Sequence, residues 1–463
     1  MGSNALGPVD QLFLLMERRQ QPMHVAGLQL FSLPPEADGE YVRQVVEQIR
    51  SSNVPQGPFR KRMVTRLGRP YWEEDEQLDL EHHVRHSALP RPGRIRELLA
   101  FVSAEHSNPL HRERPLWESH LIEGLSERRF AIYTKVHHAM MDGISAMRLG
   151  TRSLTTDANK RGMPPVWAMP PRKRTAEAPG DELDPGGALH RMAQALQKQL
   201  STVPVVMREV MKLSQRHQRD GDAVSIFQAP QCMLSEHITG SRRFAAQSYS
   251  LSRIKALSRV YGITLNDAVL AICGGALRTY LMNHGALPDQ PLIAMVPVSL
   301  RQDESAGGNQ IAMVLANLGT HIADPIERIR TVKASVEDGK AATAQMTPEE
   351  RLNFTALLLS PTFLQVMTGL APKLLAFNVV ISNVPGPRET LYWNGAPLVG
   401  MYPVSLVFDR MALNITLTSY GDSLEFGLVG CRRTLPSLQR LLDYLERAIV
   451  ELEIAAGVRG AAE

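Results

Sequence analysis

Phe130-Ala131-Ile132-Tyr133-Thr134-Lys135-Val136-His137-His138-Ala139-Met140-Met141-Asp142-Gly143 changes character twice within one short stretch. Phe130 to Val136 is rich in β-branched and aromatic residues and reads as a strand that stops at the histidine pair. Beyond Gly143, Ile144, Met147 and Leu154 fall on one face at helical spacing, which predicts a strand–loop–helix unit. Gly150, inside that helical stretch, leaves its length open. Asp142 followed by Gly143 suits a tight turn, in which glycine frees the backbone and the carboxylate anchors the loop.

The same mixture continues on both sides. Leu265 to Met282 reads as a helix, with Thr264 placed to cap it and Asp267 three residues on, as in a capping box. Leu292–Val298, Met411–Leu417 and Leu424–Val429 read as strands, and Leu438–Ile454 as an amphipathic closing helix. Strands and helices alternating in both halves predict an α/β chain with α+β mixed sheets. One composition shift interrupts the pattern. From Asp157 to Gly187 the chain carries Pro164, Pro165, Pro170, Pro171, Pro179 and Pro185, four glycines, and the basic cluster Arg172-Lys173-Arg174. Such a stretch reads as an exposed linker. The expected organisation is therefore an N-terminal lobe over 1–156, a linker over 157–187 and a C-terminal lobe over 188–463. No internal repeat of fixed period is visible.

A chain of 463 residues has room for more than one core. Its 44% hydrophobic and 21% charged residues are ordinary globular usage. The net charge is +4, and no long basic run is interleaved with aromatics, which argues against a nucleic-acid partner. A weak pull toward anionic membrane surfaces is compatible with it. Cys232, Cys273 and Cys431 are odd in number and far apart, which suits a reducing cytoplasm rather than a disulfide framework or a cysteine zinc site. The apolar run Leu12–Met16, followed by Glu17, Arg18 and Arg19, is too short for a signal peptide or a spanning helix. The longest apolar region, Leu352–Ile381, has Lys373 as its only charge and is interrupted by Pro361, Thr362, Gln365 and Pro372. It reads as two helices that are buried, border a greasy tunnel or lie on a bilayer.

Imidazole is the side chain best suited to take and return a proton near neutral pH, since its unperturbed pKa is about 6.5. A hydroxyl nucleophile is weak until a base removes its proton, and a well-placed base contributes roughly 10²–10⁴-fold. Competing readings exist for the pair His137-His138. It can be ordinary polar residues at a strand end. A zinc site would favour spacings such as H-E-x-x-H, and no Glu separates these histidines. The chain also contains a second pair, His82-His83 in LEHHVRHSALPRPG, with no Asp-Gly after it. Paired histidines alone therefore decide nothing.

HHAMMDG resembles the HHxxxDG signature of the CoA-dependent acyltransferase superfamily, which includes chloramphenicol acetyltransferase, peptide-synthetase condensation domains and polyketide-associated acyltransferases. Further segments resemble the bacterial wax ester synthase/diacylglycerol acyltransferase family: Arg114-Pro115-Leu116-Trp117-Glu118 its PLW motif, and Asn266-Asp267 its ND motif. Val296-Pro297-Val298-Ser299-Leu300-Arg301 with Gly308-Asn309 resembles its PVxxR…GN block, and Ser382-Asn383-Val384-Pro385-Gly386-Pro387 its NVPGP motif. The opening DQLFLLMERRQQPMHVAGLQLF is similar too. Two positions depart from the pattern. Asp409 is followed by Arg410 where a glycine is more usual, and Cys431-Arg432-Arg433 stands where a more acidic end is common.

The resemblance implies two chloramphenicol acetyltransferase-like lobes with a tunnel between them, His138 at its middle, CoA entering from one face and the acceptor from the other. It implies transfer of a long-chain fatty acyl group from acyl-CoA to a long-chain fatty alcohol, giving a wax ester, and to diacylglycerol, giving triacylglycerol. His138 would be the general base. Transfer would be direct, because no serine or cysteine sits in a motif such as G-x-S-x-G. His137 would support the loop, Asp142 would point away from His138 and clamp Arg301, and Gly143 would need only backbone freedom. Ser382 or Asn383 would supply an oxyanion donor, with Asn266 a second candidate whose place in a first helical turn also suits a backbone role. Trp117 would pack the catalytic strand, Arg114 and Glu118 would pair, and Met140 and Met141 would line an acyl groove or fill core. No cofactor or metal is expected beyond acyl-CoA as substrate. A cytoplasmic protein attached peripherally to the inner membrane or to lipid inclusions follows from insoluble substrates, with the linker's basic residues and Leu352–Ile381 as candidate contacts. The alternatives are a polyketide- or peptide-type condensation using a carrier protein, and a non-catalytic lipid-binding protein on the same fold.

Overall fold

The computed structural model describes residues 4–66, 69–170, 227–299, 311–347, 350–351, 354–355, 357–358 and 375–458. Its strands are β1 (Asn4–Ala5), β2 (His24–Ser32), β3 (Lys61–Arg66), β4 (Arg69–Glu74), β5 (Val84–Ala88), β6 (Trp117–Leu125), β7 (Arg129–His137), β8 (Arg242–Ser250), β9 (Ile293–Ser299), β10 (Ile311–Asn317), β11 (Val379–Val384), β12 (Tyr392–Trp393), β13 (Ala396–Val404), β14 (Leu413–Tyr420) and β15 (Ser423–Cys431). Its helices are α1 (Pro8–Met16), α2 (Tyr41–Ser52), α3 (Leu80–His83), α4 (Ile95–Glu105), α5 (Gly143–Arg152), α6 (Leu251–Tyr261), α7 (Leu265–Asn283), α8 (Pro325–Ala344) and α9 (Arg440–Ala455).

Two six-stranded mixed sheets carry the architecture, as the α/β reading expects. The first runs β12-β13-β2-β7-β6-β5 and the second β10-β9-β11-β14-β15-β8. Strand β7 lies between β2 and β6, so its ladder is paired on both edges. The register sets His137 opposite His24 and Val136 opposite Trp117. Side chains alternate along a strand. Tyr133, Lys135 and His137 therefore share one face of β7, and all three are buried. In the second sheet α7 is almost wholly buried and opens with the Thr264–Asp267 capping box that its sequence announces.

The lobes do not divide where the linker reading puts the boundary. Residues 392–404, inside the span 188–463 assigned to the second lobe, leave it and complete the first sheet, with β13 antiparallel to β2. The crossing strand covers an edge of β2 that would otherwise present unpaired backbone groups. It also brings the sheets into close contact: a Cβ at Gly427 on β15 would lie 1.9 Å from the Pro403 carbonyl oxygen, so only glycine fits there. Polar contacts seal the same junction. His106 Nε2 lies 2.8 Å from the Ser405 carbonyl oxygen, Phe244 N donates to the Ser103 hydroxyl at 2.9 Å, and Asp409 N donates to Gln21 Oε1 at 2.8 Å.

Two further expectations need correction. The stretch from Asp157 is exposed through Gly162 but not beyond it. Met163 and Trp167 are buried, and Gln56 N donates to the Trp167 carbonyl at 2.9 Å. An indole is too large an apolar surface to leave in water when a partner ring is available, and Trp167 stacks on Trp117 at 5.5 Å between ring centroids. Residues 171–187, including Arg172, Lys173 and Arg174, lie outside the described residues. The apolar region Leu352–Ile381 does not end as helix, because its β-branched tail Val379-Val380-Ile381 forms β11 between β9 and β14. Leu357, Leu358, Leu375, Ala376 and Phe377 are core residues, and most of the remainder lies outside the described residues. Among the described residues no single helix is long and apolar enough to cross a membrane.

Candidate active site

The loop after β7 is pinned by its own backbone. His137 N donates to the Leu116 carbonyl at 2.9 Å and His138 N to the Met23 carbonyl at 2.8 Å. Met140 N then returns to the His137 carbonyl at 2.9 Å, closing the turn. Asp142 is the N-cap of α5: one carboxylate oxygen accepts from Ser145 N at 2.9 Å, the other from the Ser145 hydroxyl at 2.7 Å. An acidic N-cap both satisfies a free amide and complements the helix dipole. Gly143 starts α5, and a Cβ there would meet nothing within 4 Å among the described residues. Its expected need for glycine freedom is therefore not visible in the surroundings, since an ordinary first helical position accepts other residues.

His138 is half-buried, and its ring stacks on Phe13 of α1, with centroids 4.1 Å apart and planes inclined by 22°. Its Nδ1 is closed off and bonds no other residue among the described ones. Burial pushes the imidazole down to about 4. Asp142 acts in the opposite direction, His137 lowers it further, and the ring's own main-chain carbonyl raises it slightly. The ring is therefore neutral near pH 7, with a lone pair free to accept a proton.

His137 is fully buried and turned the other way. Ala139 N donates to its Nδ1 at 3.0 Å, which leaves the ring proton on Nε2. Nε2 lies 3.4 Å from Glu17 Oε1, a contact at ion-pair distance whose angle falls short of a well-formed hydrogen bond. Glu17 also accepts from Met23 N at 3.2 Å and from Arg112 Nε at 3.1 Å. Burial raises this carboxyl, but His137, the Met23 amide and Arg112 together hold it below its usual range. Phe13 and Glu17 were not among the residues singled out in the sequence. The available signal was a lone acid directly after the apolar run Leu12–Met16, a pattern that fits a helix end meeting a polar site.

Trp117 is fully buried on β6, stacked on His83 at 4.6 Å and donating through Nε1 to the Phe59 carbonyl at 2.9 Å. His83 in turn holds the Trp117 carbonyl through Nδ1 at 2.7 Å. The second histidine pair thus supports the strand beside the first. Arg114 and Glu118 do not pair. Arg114 reaches Asp79 at 3.6 Å, whereas Glu118 faces Lys135 at 3.3 Å and Arg85 at 3.2 Å. Residues alternate along β6, so Glu118 turns inward to the buried lysine. Glu105, Glu118 and His120 bring ligand atoms within 4.8 Å of one another. The Lys135 ammonium already serves that cluster, and its Nζ also bonds the carbonyls of Glu105 and Asn108.

The second lobe holds the remaining candidates. Ser382 and Asn383 lie on β11 opposite Thr416 and Leu417. Both are half-buried, and their side chains make no hydrogen bond among the described residues. Asn266 sits in the first turn of α7 with its Nδ2 buried and unpartnered. No hydrogen bond joins any of the three to the histidine loop among the described residues. Arg301, Leu300, Gly308 and Asn309 lie outside them, so the clamp between Asp142 and Arg301 has only its Asp142 side in view. Met140 and Met141 pack against the first lobe's core.

Two mixed sheets, a strand that crosses between them and an HHxxxDG loop ending a central strand define a two-lobed acyl-transfer fold. The chain belongs to the wax ester synthase/diacylglycerol acyltransferase family: the model of that family's catalytic domain matches residues 6–269, and that of its C-terminal domain residues 307–453. The interval between the two models, residues 270–306, begins inside α7 and spans β9, away from the proline-rich stretch. The chain is 46% identical to the O-acyltransferase WSD of Acinetobacter baylyi over 98% of its own length and 97% of that protein's. It is 45% identical to a Mycobacterium tuberculosis protein named "Probable diacyglycerol O-acyltransferase tgs2", over 97% of this chain and 99% of that one. Among solved structures, the wax ester synthase/diacylglycerol acyltransferase of Marinobacter aquaeolei superposes with a TM-score of 0.81 at 51% identity, covering 98% of this chain and 100% of that one. The first condensation domain of the CDA synthetase, at 14% identity and a TM-score of 0.53 over 98% of this chain and 96% of that one, shares the fold alone.

Proposed function

We propose that this chain transfers a long-chain fatty acyl group from acyl-CoA to a long-chain fatty alcohol and to diacylglycerol, with His138 as general base. The observation that carries the reading is the His138 ring: neutral, desolvated, stacked on Phe13 and displayed at the end of a fully paired strand. With Nδ1 closed off, Nε2 is the atom that meets substrate. It takes the hydroxyl proton as the alcohol oxygen attacks the thioester carbonyl. The tetrahedral intermediate collapses, the C–S bond breaks, and the imidazolium returns its proton to the CoA thiolate. One ester and one free thiol result, and the balance requires no cofactor.

Ser382, Asn383 and Asn266 are the candidate donors to the oxyanion, because each carries a polar side-chain group with no partner among the described residues. Asp142, beyond capping α5, is assigned the clamp toward Arg301 across the lobes. Apolar acyl and acceptor chains would lie in a tunnel between the two sheets. Because the substrates are insoluble, the protein is assigned to the cytoplasmic face of the inner membrane or to lipid inclusions as a peripheral partner. Fractionation that finds it only in the aqueous phase when lipid is present overturns that assignment.

The test of the activity is release of CoA thiol from palmitoyl-CoA with hexadecanol or with a diglyceride as acceptor. Release that depends on acceptor is expected. No release with any fatty alcohol or diglyceride sinks the reading, and near-normal turnover by His138→Ala sinks the assignment of the base.

A further inference from the structure

We propose that Phe13 is a positioning residue of the active site, acting through His138: its ring is the platform that fixes the plane of the catalytic imidazole. The inference rests on the reading of His138 as base. It starts from an imbalance in how the loop is held. The backbone of His138 is anchored by the Met23 carbonyl, and His137 is held through both ring nitrogens, by Ala139 N and Glu17. The His138 ring has no such hold. Among the described residues its Nδ1 bonds no other residue, and the stack on Phe13 is its only ring contact.

Rotation of the His138 ring about its side-chain bonds would swing Nε2 away from the reacting hydroxyl. A neighbouring carboxylate would normally prevent that, but the nearest acid on the loop, Asp142, spends both oxygens on Ser145. A flat aromatic face at 4.1 Å prevents it sterically, because the imidazole can only lie nearly parallel to it. The same face attracts the ring more strongly once it is charged, as a cation over an aromatic ring. Phe13 therefore favours the imidazolium formed during transfer over the neutral ring that precedes it, which is the difference that accelerates a chemical step.

Phe13 is itself held well enough to act as a platform. It is buried in the first lobe's core, on α1, and α1 is tied at its end by Glu17 N to the Phe13 carbonyl at 3.1 Å. Gln21 Nε2 donates to the Met16 carbonyl at 3.1 Å, while the Oε1 of the same side chain accepts from Asp409 N in the second lobe. The helix bearing the platform is thus fixed to both lobes.

Phe13→Leu keeps an apolar side chain of similar bulk and removes the flat face, and Phe13→Tyr keeps the ring. Misplacement of a reacting group by about 1 Å can cost on the order of 10²-fold. For Phe13→Leu we expect kcat to fall at least about tenfold with KM for palmitoyl-CoA unchanged, and Phe13→Tyr to restore most of it. A readout independent of turnover is the NMR spectrum of the wild type with labelled histidine, with the His138 resonances assigned by their loss in His138→Gln. The stacked ring should displace them upfield, and Phe13→Leu should abolish the displacement. Wild-type kcat in Phe13→Leu, an equal loss in Phe13→Tyr, or undisplaced His138 resonances in the wild type each overturn the proposal. If instead His138→Ala is active while the displacement is present, the assignment of the base has failed and the stack has not.

Discussion

Glu17 and His137 meet 3.4 Å apart in a buried site, with the carboxylate shared between that imidazole, the Met23 amide and the Arg112 guanidinium. The pair ties the end of α1 to the histidine that precedes the proposed base. It fixes one tautomer of His137, because the Ala139 amide occupies Nδ1 and leaves the proton on the side facing Glu17.

Glu17→Gln removes the charge and preserves the shape. A buried partner left unsatisfied costs about 1–3 kcal/mol. We expect the unfolding free energy to fall by about that amount, and kcat to fall with little change in KM. Urea unfolding and thiol-release kinetics measure both. An unchanged stability together with an unchanged kcat contradicts the role given to this pair.

Asp142 yields a second contrast. As N-cap of α5 it accepts from both the amide and the hydroxyl of Ser145. Asparagine also caps well, whereas alanine does not, and losing a cap costs about 0.5–2 kcal/mol. Asp142→Ala should therefore destabilise by about that amount, and Asp142→Asn by well under it. Any activity lost in Asp142→Asn beyond this stability effect reports on the proposed clamp toward Arg301.

These relationships show which parts of the site a sequence displays. The strand–loop–helix around His138 was legible because its two periodicities meet at a turn, and β9, β14, β15 and the last helix were legible for the same reason. The crossing of β12 and β13 was not, since strand pairing between distant segments leaves no local mark. Trp167 was hidden by the prolines around it, which speak for backbone geometry and not for what a side chain buries. Phe13 and Glu17 were hidden because the histidines they meet, His138 and His137, lie more than a hundred residues away. Arg410 is a converse case, a departure that the structure makes intelligible. Phe408 and Met411 are bridged, so Asp409 and Arg410 form the centre of a tight turn, and Arg410 has φ 68°, where such turns favour glycine.

Trp117 separates packing from catalysis. It is enclosed by His83, Trp167 and Phe59, and its Nε1 holds the Phe59 carbonyl. Trp117→Phe leaves that carbonyl unpaired and opens a void, which together should cost about 2–4 kcal/mol. We expect a lower midpoint in thermal unfolding, with kcat at low temperature within a few-fold of wild type. A large loss of kcat at full stability would give Trp117 a role in the reaction.

Acid should destabilise this protein through its buried histidines before most of its carboxylates titrate. Burial drives His106 to about 3, His83 to about 4 and His138 to about 4, and carries His24 well below the ordinary value. The sign follows from comparing states. In the unfolded chain each of these rings takes up a proton near pH 6.5, while in the folded chain His106, His83 and His138 resist until about pH 4 or lower and burial holds His24 down in the same direction. Their contribution is thus present in full above pH 6.5 and is lost as pH falls toward the folded values. For His106, His83 and His138 the loss between pH 7 and pH 5 is about 2 kcal/mol each. One carboxylate acts in the opposite sense: burial raises Glu425 to about 7, so its protonation in the folded chain stabilises the fold as pH falls over this range and offsets about one ring's loss. Others enter later. Glu118 is raised by burial but held down to about 2 by His120, Lys135 and Arg85, so its contribution survives until pH falls below about 4.5. Unfolding free energies measured in urea at pH 7 and pH 5 should therefore differ by several kcal/mol. His106→Gln, which removes one such ring and can still reach the Ser405 carbonyl, should reduce that difference by about 2 kcal/mol. A stability that is flat across this range would mean that these histidines are not held neutral by burial, and the description of His138 as a desolvated base would fall with it.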